Sequence, residues 1–464
     1  MFLVYVSVLD RYASCLPVYE KMCRKFQYRI WAFLESEKGI DWRKEDIAMR
    51  VLYNSDLLRE DLHGKLIQYV NARVLLGNQL IDDHIWVRNG KIISAASVFY
   101  DERREADIQI DCQGKILCPG FIDIQLNGAF GVDFSSIGFS KADFSNGVQK
   151  VRKGLLAFGV TSFLPTIITS TAESYNKILP LIKRCPGSPE GAAILGVHVE
   201  GPFISQQKRG CHPIECVRDF GENYKKEIAK TYGSLENISM VTIAPEKEHA
   251  LDAIKYFKEE GIICSLGHSS ACWEEGVRGV QAGALSITHL FNAMQSYHHR
   301  DPGLIGLLTT KFKEKTHPLF YGIIADGIHT HDSALRIAHQ TLPEGLVLVT
   351  DAIAALGLGD GIHKLGQQKI IVTGYEALLD GTQTPAGSVA SMPFCIRHFV
   401  QAARCSLQDA LNAATLKPAT LLGITDTKGV LKIGADADLV LLDDDVTVFA
   451  TFIGGQLAYF LTNC

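Results

Sequence analysis

Eight short β-rich runs, each followed by room for a helix, constrain this chain more than any other feature. They read ILCPGFIDIQL (from Ile116), GVTSFLPTI, AAILGVHVEG, ISMVTIAPE, GIICSLGHS, ALSITHLFNA, LFYGIIADG and GLVLVTDAI (ending at Ile353), at spacings of roughly 20–60 residues. Near-continuous apolar strands alternating with helices indicate a parallel sheet covered on both faces. Eight of them predict α/β architecture in the form of a closed (β/α)8 TIM-type barrel. A doubly wound open sheet is the alternative that pattern alone leaves standing.

The flanks have a different texture. Residues 67–115 and 428–462 are short strands broken by Asn-Gly, Gly-Ala-Asp and Gly-Gly turns. They predict one small β-sandwich domain built from both flanking segments, 63–116 plus 426–464, beside a metal-dependent catalytic barrel over 117–425. Residues 1–62 stand apart as an N-terminal extension whose charged, helix-compatible text carries no recognisable chemistry. A chain of 464 residues, 47% of them hydrophobic, can bury a core large enough for such a plan.

Charge and cysteine content exclude several function classes. A net charge of -5 without a Lys/Arg block offers no footprint for nucleic acid or an anionic membrane, so an anionic ligand must be held locally. Twelve cysteines lie scattered with no C-x-x-C pair, which reads as reduced thiols in the cytoplasm rather than disulfides or a zinc knuckle. The opening MFLVYVSVL meets Asp10 and Arg11 at once, lacks a basic leader and is too short to span a bilayer.

Ionisable residues gather where the predicted strands end, which in such barrels is the catalytic face. They are Asp123, Glu200, His268, His289, Asp326, His329 and Asp351. Glu200, His268 and His289 form a two-imidazole, one-carboxylate set of the kind that holds a catalytic Zn²⁺ and leaves a position for water. Such an ion lowers the pKa of its water towards ~7, and it offsets the cost of a carboxylate in a barrel core. Asp351 is the natural proton carrier beside it; the competing reading is a simple helix N-cap.

The motifs PGFID (119–123), HVEGPF (198–203), GHS (267–269), THLFNAM (288–294), HHRDPG (298–303), DGIHT (326–330), VTDAI (349–353), AGS (386–388) and KGVLKIGADADLVLLD (428–443) carry a resemblance. From about Val70 to Ala458 the chain resembles the amidohydrolase superfamily and, within it, the family of deacetylases that act on N-acetylglucosamine 6-phosphate. The resemblance implies hydrolysis of the acetamido group of N-acetyl-D-glucosamine 6-phosphate to D-glucosamine 6-phosphate and acetate, in amino-sugar catabolism. Many amidohydrolases carry His-x-His after the first strand to admit a second metal. This chain has Gln125-Leu126-Asn127 there, and amides are poor ligands, which favours one divalent metal ion per subunit. Zn²⁺ is favoured, and Fe²⁺, Co²⁺ or Mn²⁺ suit the same donors.

Carried over position by position, Asp351 matches the catalytic acid/base, and Cys211 and His212 a substrate-binding pair. Asn292, Ala293, Arg300 and His329 match further substrate contacts, and Pro385, Ala386 and Gly387 a backbone segment closing over the sugar. His212 suits a hydrogen bond to the amide oxygen as its charge grows. Arg300 presents a planar fork to a phosphate, and the backbone at Asn292-Ala293 would add donors if a helix began there. A homodimer is implied, since in relatives the phosphate site can draw on a neighbouring subunit. Two departures stand out: Cys211 replaces a small residue, and Pro385 removes a backbone donor. Two other readings remain: an amidohydrolase acting on another N-acyl or cyclic amide, and a catalytically inactive scaffold.

Overall fold

The computed structural model describes residues 48–462, apart from 61, 137–139, 313–316, 366–367 and 383–384. Most of the expected extension over 1–62 therefore lies outside the described residues. Its last part does not stand apart: Met49–Leu52 forms a strand parallel to Ile108–Asp111, so the flanking sheet begins ahead of the expected boundary at 63. Among the described residues, no helix is long and apolar enough to cross a membrane.

All eight β-rich runs supply barrel strands: β1 (Phe121–Leu126), β2 (Val160–Ile168), β3 (Val197–Glu200), β4 (Ile238–Ile243), β5 (Ile263–Leu266), β6 (Ser286–Ile287), β7 (Phe320–Ile324) and β8 (Leu346–Val349). Each runs parallel to the next in that order. Every residue of β1, β3, β4, β7 and β8 is buried, as continuous apolar strands between two layers require. The ring comes round to a single parallel bridge, Leu126 with Ala352, just past the end of β8. The sheet is thus a nearly closed barrel of the (β/α)8 kind. Helices follow the strands; Lys141–Leu155 is representative, opened by Ser140, whose side chain accepts from the Asp143 N–H, and burying Phe144, Val148, Val151 and Leu155 along one stripe.

The first run divides where the sequence shows no break. Ile116–Pro119 pairs antiparallel with Leu439–Leu442 in the flanking sheet, and only from Phe121 does the chain join the barrel. Gly120 makes the passage: a Cβ there would lie 2.0 Å from Thr161 Oγ1. The barrel therefore starts at Phe121 rather than 117. The flanking sheet has nine strands drawn from both sides of the barrel, packed around Tyr69, Val74, Val87, Leu117, Leu441 and Phe452.

A second difference lies after β8. Gly361–Leu365, Gln368–Thr373 and Glu376–Leu379 form a three-stranded antiparallel insert. Ile370, Val372 and Ala377 pack on Ile353, Ala386 and, from another loop, Cys211, so the insert lies against the barrel mouth.

Asp123, one of the expected strand-end acids, serves the closure of the barrel instead. Its carboxylate accepts from Thr350 Oγ1 at 2.5 Å and from the backbone N–H groups of Gln125 and Thr350 at 3.3 and 3.4 Å, tying β1 to the end of β8. Burial pushes its carboxyl up to about 7. The folded protein thus binds more protons than the unfolded chain between about pH 4 and 7. Stability from this group is full below that window and is lost as pH rises through it, by on the order of 2–4 kcal/mol. Asp123→Asn is expected to flatten the slope; thermal unfolding of both proteins across the window, with chelator throughout, checks it, and an unchanged slope assigns the effect elsewhere.

Candidate metal centre and active site

The strand ends are bent to bring their side chains together. Glu200 closes β3 and is followed by Gly201 at φ 86°, while His268, His289 and Asp351 each sit two residues past their strands with φ of 47°, 27° and 47°. Left-handed backbone at a non-glycine residue costs on the order of 1–3 kcal/mol and persists only where its surroundings enforce it, typically at functional sites. All four side chains are buried or nearly so.

Three donor atoms converge. His268 Nε2 and His289 Nε2 lie 3.2 and 3.0 Å from Glu200 Oε1, and 3.0 Å from each other. His268 Nδ1 faces the carbonyl of Lys208 at 2.9 Å; a carbonyl only accepts, so Nδ1 carries the hydrogen and Nε2 presents a lone pair. A lone pair, a second imidazole and a carboxylate at such distances repel unless positive charge lies among them. The protonation behaviour expresses that demand. Burial opposes charge on His289, but the hydrogen bond and charge of Glu200 outweigh it and raise its pKa. Burial likewise raises Glu200, yet His268 and His289 hold its carboxyl well below the usual range. A divalent cation answers the same demand, so these residues fit a metal.

His212 also approaches, with Nε2 3.8 Å from Glu200 Oε2, and Glu200, His212 and His268 offer ligand atoms within 4.8 Å of one another. Tautomers separate the two histidines. The Thr169 N–H, which can only donate, points at His212 Nδ1 at 3.4 Å, with the Thr169 hydroxyl 2.8 Å from the same nitrogen. In the tautomer that accepts the Thr169 N–H, His212 Nε2 keeps its hydrogen and faces the centre as a donor, whereas His268 and His289 are the better ligands. Burial pushes His212 down to about 3, so it remains neutral.

The amides that stand in place of His-x-His have a defined task. Gln125 Nε2 donates to Glu200 Oε1 at 2.8 Å and to Asp351 Oδ1 at 3.2 Å, and Asn127 Nδ2 donates to Asp351 Oδ1 at 2.7 Å. Amide hydrogens thus lie between the two carboxylates. Burial, aided by the charge of Glu200, raises Asp351 to about 7, opposed by His289, His329 and Asn127. A carboxyl near neutrality can both take and return a proton.

The other expected residues divide. His329 Nδ1 meets Asp326 Oδ2 at 2.6 Å; burial disfavours both charges, yet their pairing raises the imidazole and lowers the carboxyl. Cys211 packs against the insert, and burial pushes its thiol up to about 12, which makes it inert at neutral pH. No helix begins at Asn292-Ala293: the segment is a turn in which the Asn292 N–H donates to the His289 carbonyl at 2.9 Å, so the expected helix-end donors are absent there. The Ala386 N–H is likewise used, on the Ala377 carbonyl at 2.9 Å, while Pro385 bridges to Leu378 and Gly387 has φ 97°. Arg300 is exposed on the loop after β6, and among the described residues its guanidinium makes no hydrogen bond. Sequence reading missed Thr169 and Lys208. Thr169, just past β2, was detectable as a polar strand-end residue; Lys208 acts through its backbone and leaves no side-chain signal.

Comparison with known proteins identifies the family. Residues 116–458 match the amidohydrolase family. The chain is 58% identical to N-acetylglucosamine-6-phosphate deacetylase of Caenorhabditis elegans over 400 residues, 86% of this chain and 96% of that protein. It is 50% identical to the Homo sapiens protein of that name over 396 residues, 85% and 96% of the two chains. Among solved structures, an aspartate-to-alanine variant of the deacetylase from Mycobacterium smegmatis, in complex with N-acetyl-D-glucosamine 6-phosphate, superposes with TM-score 0.71 at 29% identity, covering 85% of this chain and 100% of that one. With the barrel, the convergent acid and imidazoles, and likeness along nearly the whole length of these relatives, the chain belongs to the amidohydrolase family and, within it, to the N-acetylglucosamine-6-phosphate deacetylases.

Proposed function

We propose that this chain hydrolyses the acetamide of N-acetyl-D-glucosamine 6-phosphate, giving D-glucosamine 6-phosphate and acetate, a step of amino-sugar catabolism. The observation that carries the reading is the meeting of Glu200, His268, His289 and Asp351 at one barrel mouth, in a chain 58% identical to a deacetylase of that specificity.

Glu200, His268 and His289 would hold one divalent ion, with Zn²⁺ the best match to two imidazoles and a carboxylate and Fe²⁺, Co²⁺ or Mn²⁺ compatible. When bound, the ion supplies Lewis acidity to the scissile carbonyl and acidity to a water. Gln125 and Asn127 occupy Oδ1 of Asp351, leaving Oδ2 to take a proton from the attacking water and pass it to the departing nitrogen. The C–O bond forms, the C–N bond breaks, and Asp351 ends as it began. His212 Nε2–H donates to the carbonyl oxygen as it gains charge. Cys211 through its backbone, Asn292, Ala293, Arg300 and His329 contact the sugar phosphate, and the Pro385–Gly387 segment, held beside Asp351, closes over it.

The flanking sheet is read as a small β-sandwich domain and the protein as a cytoplasmic homodimer. Exposed Ile214, Tyr297 and Ile328 on loops around the mouth, 51%, 63% and 43% accessible, support a second copy covering that rim.

Acetate release from N-acetylglucosamine 6-phosphate by the purified chain, before and after chelation, tests the reading. Turnover is expected to vanish with the metal and return on its addition, and the unphosphorylated sugar to be far poorer. Equal rates on both sugars would sink the substrate assignment and leave an amidohydrolase of other specificity.

A further inference from the structure

β4 contributes no member of the cluster of Glu200, His268 and His289, yet the loop after it carries a half-buried acid, Glu246. Among the described residues no cation pairs with it. Its carboxylate instead accepts from the two residues that follow His268: from Ser269 Oγ–H at 2.6 Å, from the Ser270 N–H at 2.7 Å and from Ser270 Oγ–H at 3.1 Å. Hydrogen bonds to an ionised acceptor are the stronger kind. One of these three comes from the backbone, so the acid fixes the course of the chain as it leaves His268.

That course is demanding. His268 has φ 47°, a left-handed conformation that persists only where its surroundings enforce it. The Ser205 N–H donates to the His268 carbonyl at 2.8 Å, and Ser205 Oγ lies 3.2 Å from Ser270 Oγ. The Ser269 N–H donates to the Ala293 carbonyl at 3.0 Å, on the loop that carries His289. Ser269 Oγ, having given its hydrogen to Glu246, accepts the Ala271 N–H at 3.0 Å. Residues 268–271 are thus a junction of the loops after β3, β4 and β6, and Glu246 supplies its charged acceptor.

We propose that Glu246 is a positioning residue for His268. By anchoring Ser269 and Ser270 it holds the His268 imidazole where it meets Glu200 and His289, and it thereby sets the affinity of the centre for its ion. A group that orients a ligand in this way acts without touching the ion. This rests on the metal reading given above.

Glu246→Ala and Glu246→Gln in the full chain, titrated with Zn²⁺ or Co²⁺ against a competing chelator, test it. Loss of a partner that orients a ligand corresponds to roughly 10–100-fold in metal affinity. That loss is expected for Glu246→Ala, with a shifted visible spectrum of the Co²⁺ form. Glutamine keeps an acceptor for the Ser270 N–H, so Glu246→Gln is expected to recover most of the affinity. At saturating metal kcat falls in Glu246→Ala while KM stays within about twofold. Ser269→Ala removes one of the three bonds and leaves the acid in place; it should show a smaller loss of the same kind, and it carries the test if Glu246→Ala does not fold. An unchanged metal dissociation constant, an unshifted Co²⁺ spectrum, or a glutamine variant as weak as the alanine one would each overturn the proposal. A wild-type chain that takes up neither ion would remove the metal reading and this proposal with it, whereas wild-type uptake with unaltered variants removes the proposal alone.

Discussion

Asp351→Asn retains its metal and loses on the order of a thousandfold in kcat, the range expected when a general acid–base is removed. The substitution is isosteric, and its carbonyl oxygen can still accept from Gln125 and Asn127, so the local hydrogen bonds survive. What disappears is the capacity to bind a proton. Asp351 is held beside Glu200 by the shared Gln125 amide, whereas the two imidazole nitrogens meet on the Glu200 carboxylate, which is why metal content should not change. Single-turnover kinetics on metal-replete protein checks the outcome; undiminished turnover would show that another group moves the proton.

Glu200→Gln is expected to weaken metal binding by about a hundredfold or more, since loss even of an outer hydrogen-bond partner costs roughly 10–100-fold. It carries a signature that activity cannot imitate. In the wild type, chelation leaves a lone pair and a carboxylate facing each other, and it removes the stabilisation that a ligand bound only to the folded state provides. Glutamine relieves the first effect and forfeits the second. Its melting temperature should therefore be nearly insensitive to chelator, with the metal-free variant at least as stable as the metal-free wild type. A variant that still loses stability on chelation would place the ion on other residues.

The barrel was legible because its strands are buried on both faces and read as unbroken apolar runs. Glu200, His268, His289 and Asp351 were legible for the complementary reason: each interrupts such a run at one end, where a charged or polar group needs a partner. Asp123 satisfies the same pattern and was misleading. Its partner is Thr350, just past the closing strand, a contact between residues far apart in sequence that no local pattern encodes. The passage at Gly120 was invisible because composition does not change across it; only the side chain of Thr161, from a different strand, makes glycine necessary. The insert over 361–379 has no counterpart among the eight runs, since its strands are short and its burial comes from Ile353 and Ala386 elsewhere in the chain. The turn at Asn292 and the Lys208 carbonyl belong to the same class: both depend on which backbone group is nearby.

The bridge between Leu126 and Ala352 lies one residue from Asp351 and from Gln125. The stave that completes the ring is also the one that brings proton carrier and amide together, so every segment between them must be in place before chemistry can occur. A chain emerging from the ribosome is consequently inert until its eighth strand arrives. In mild denaturant, parting at this seam should silence the enzyme while most of the barrel persists, with inactivation preceding the loss of circular dichroism.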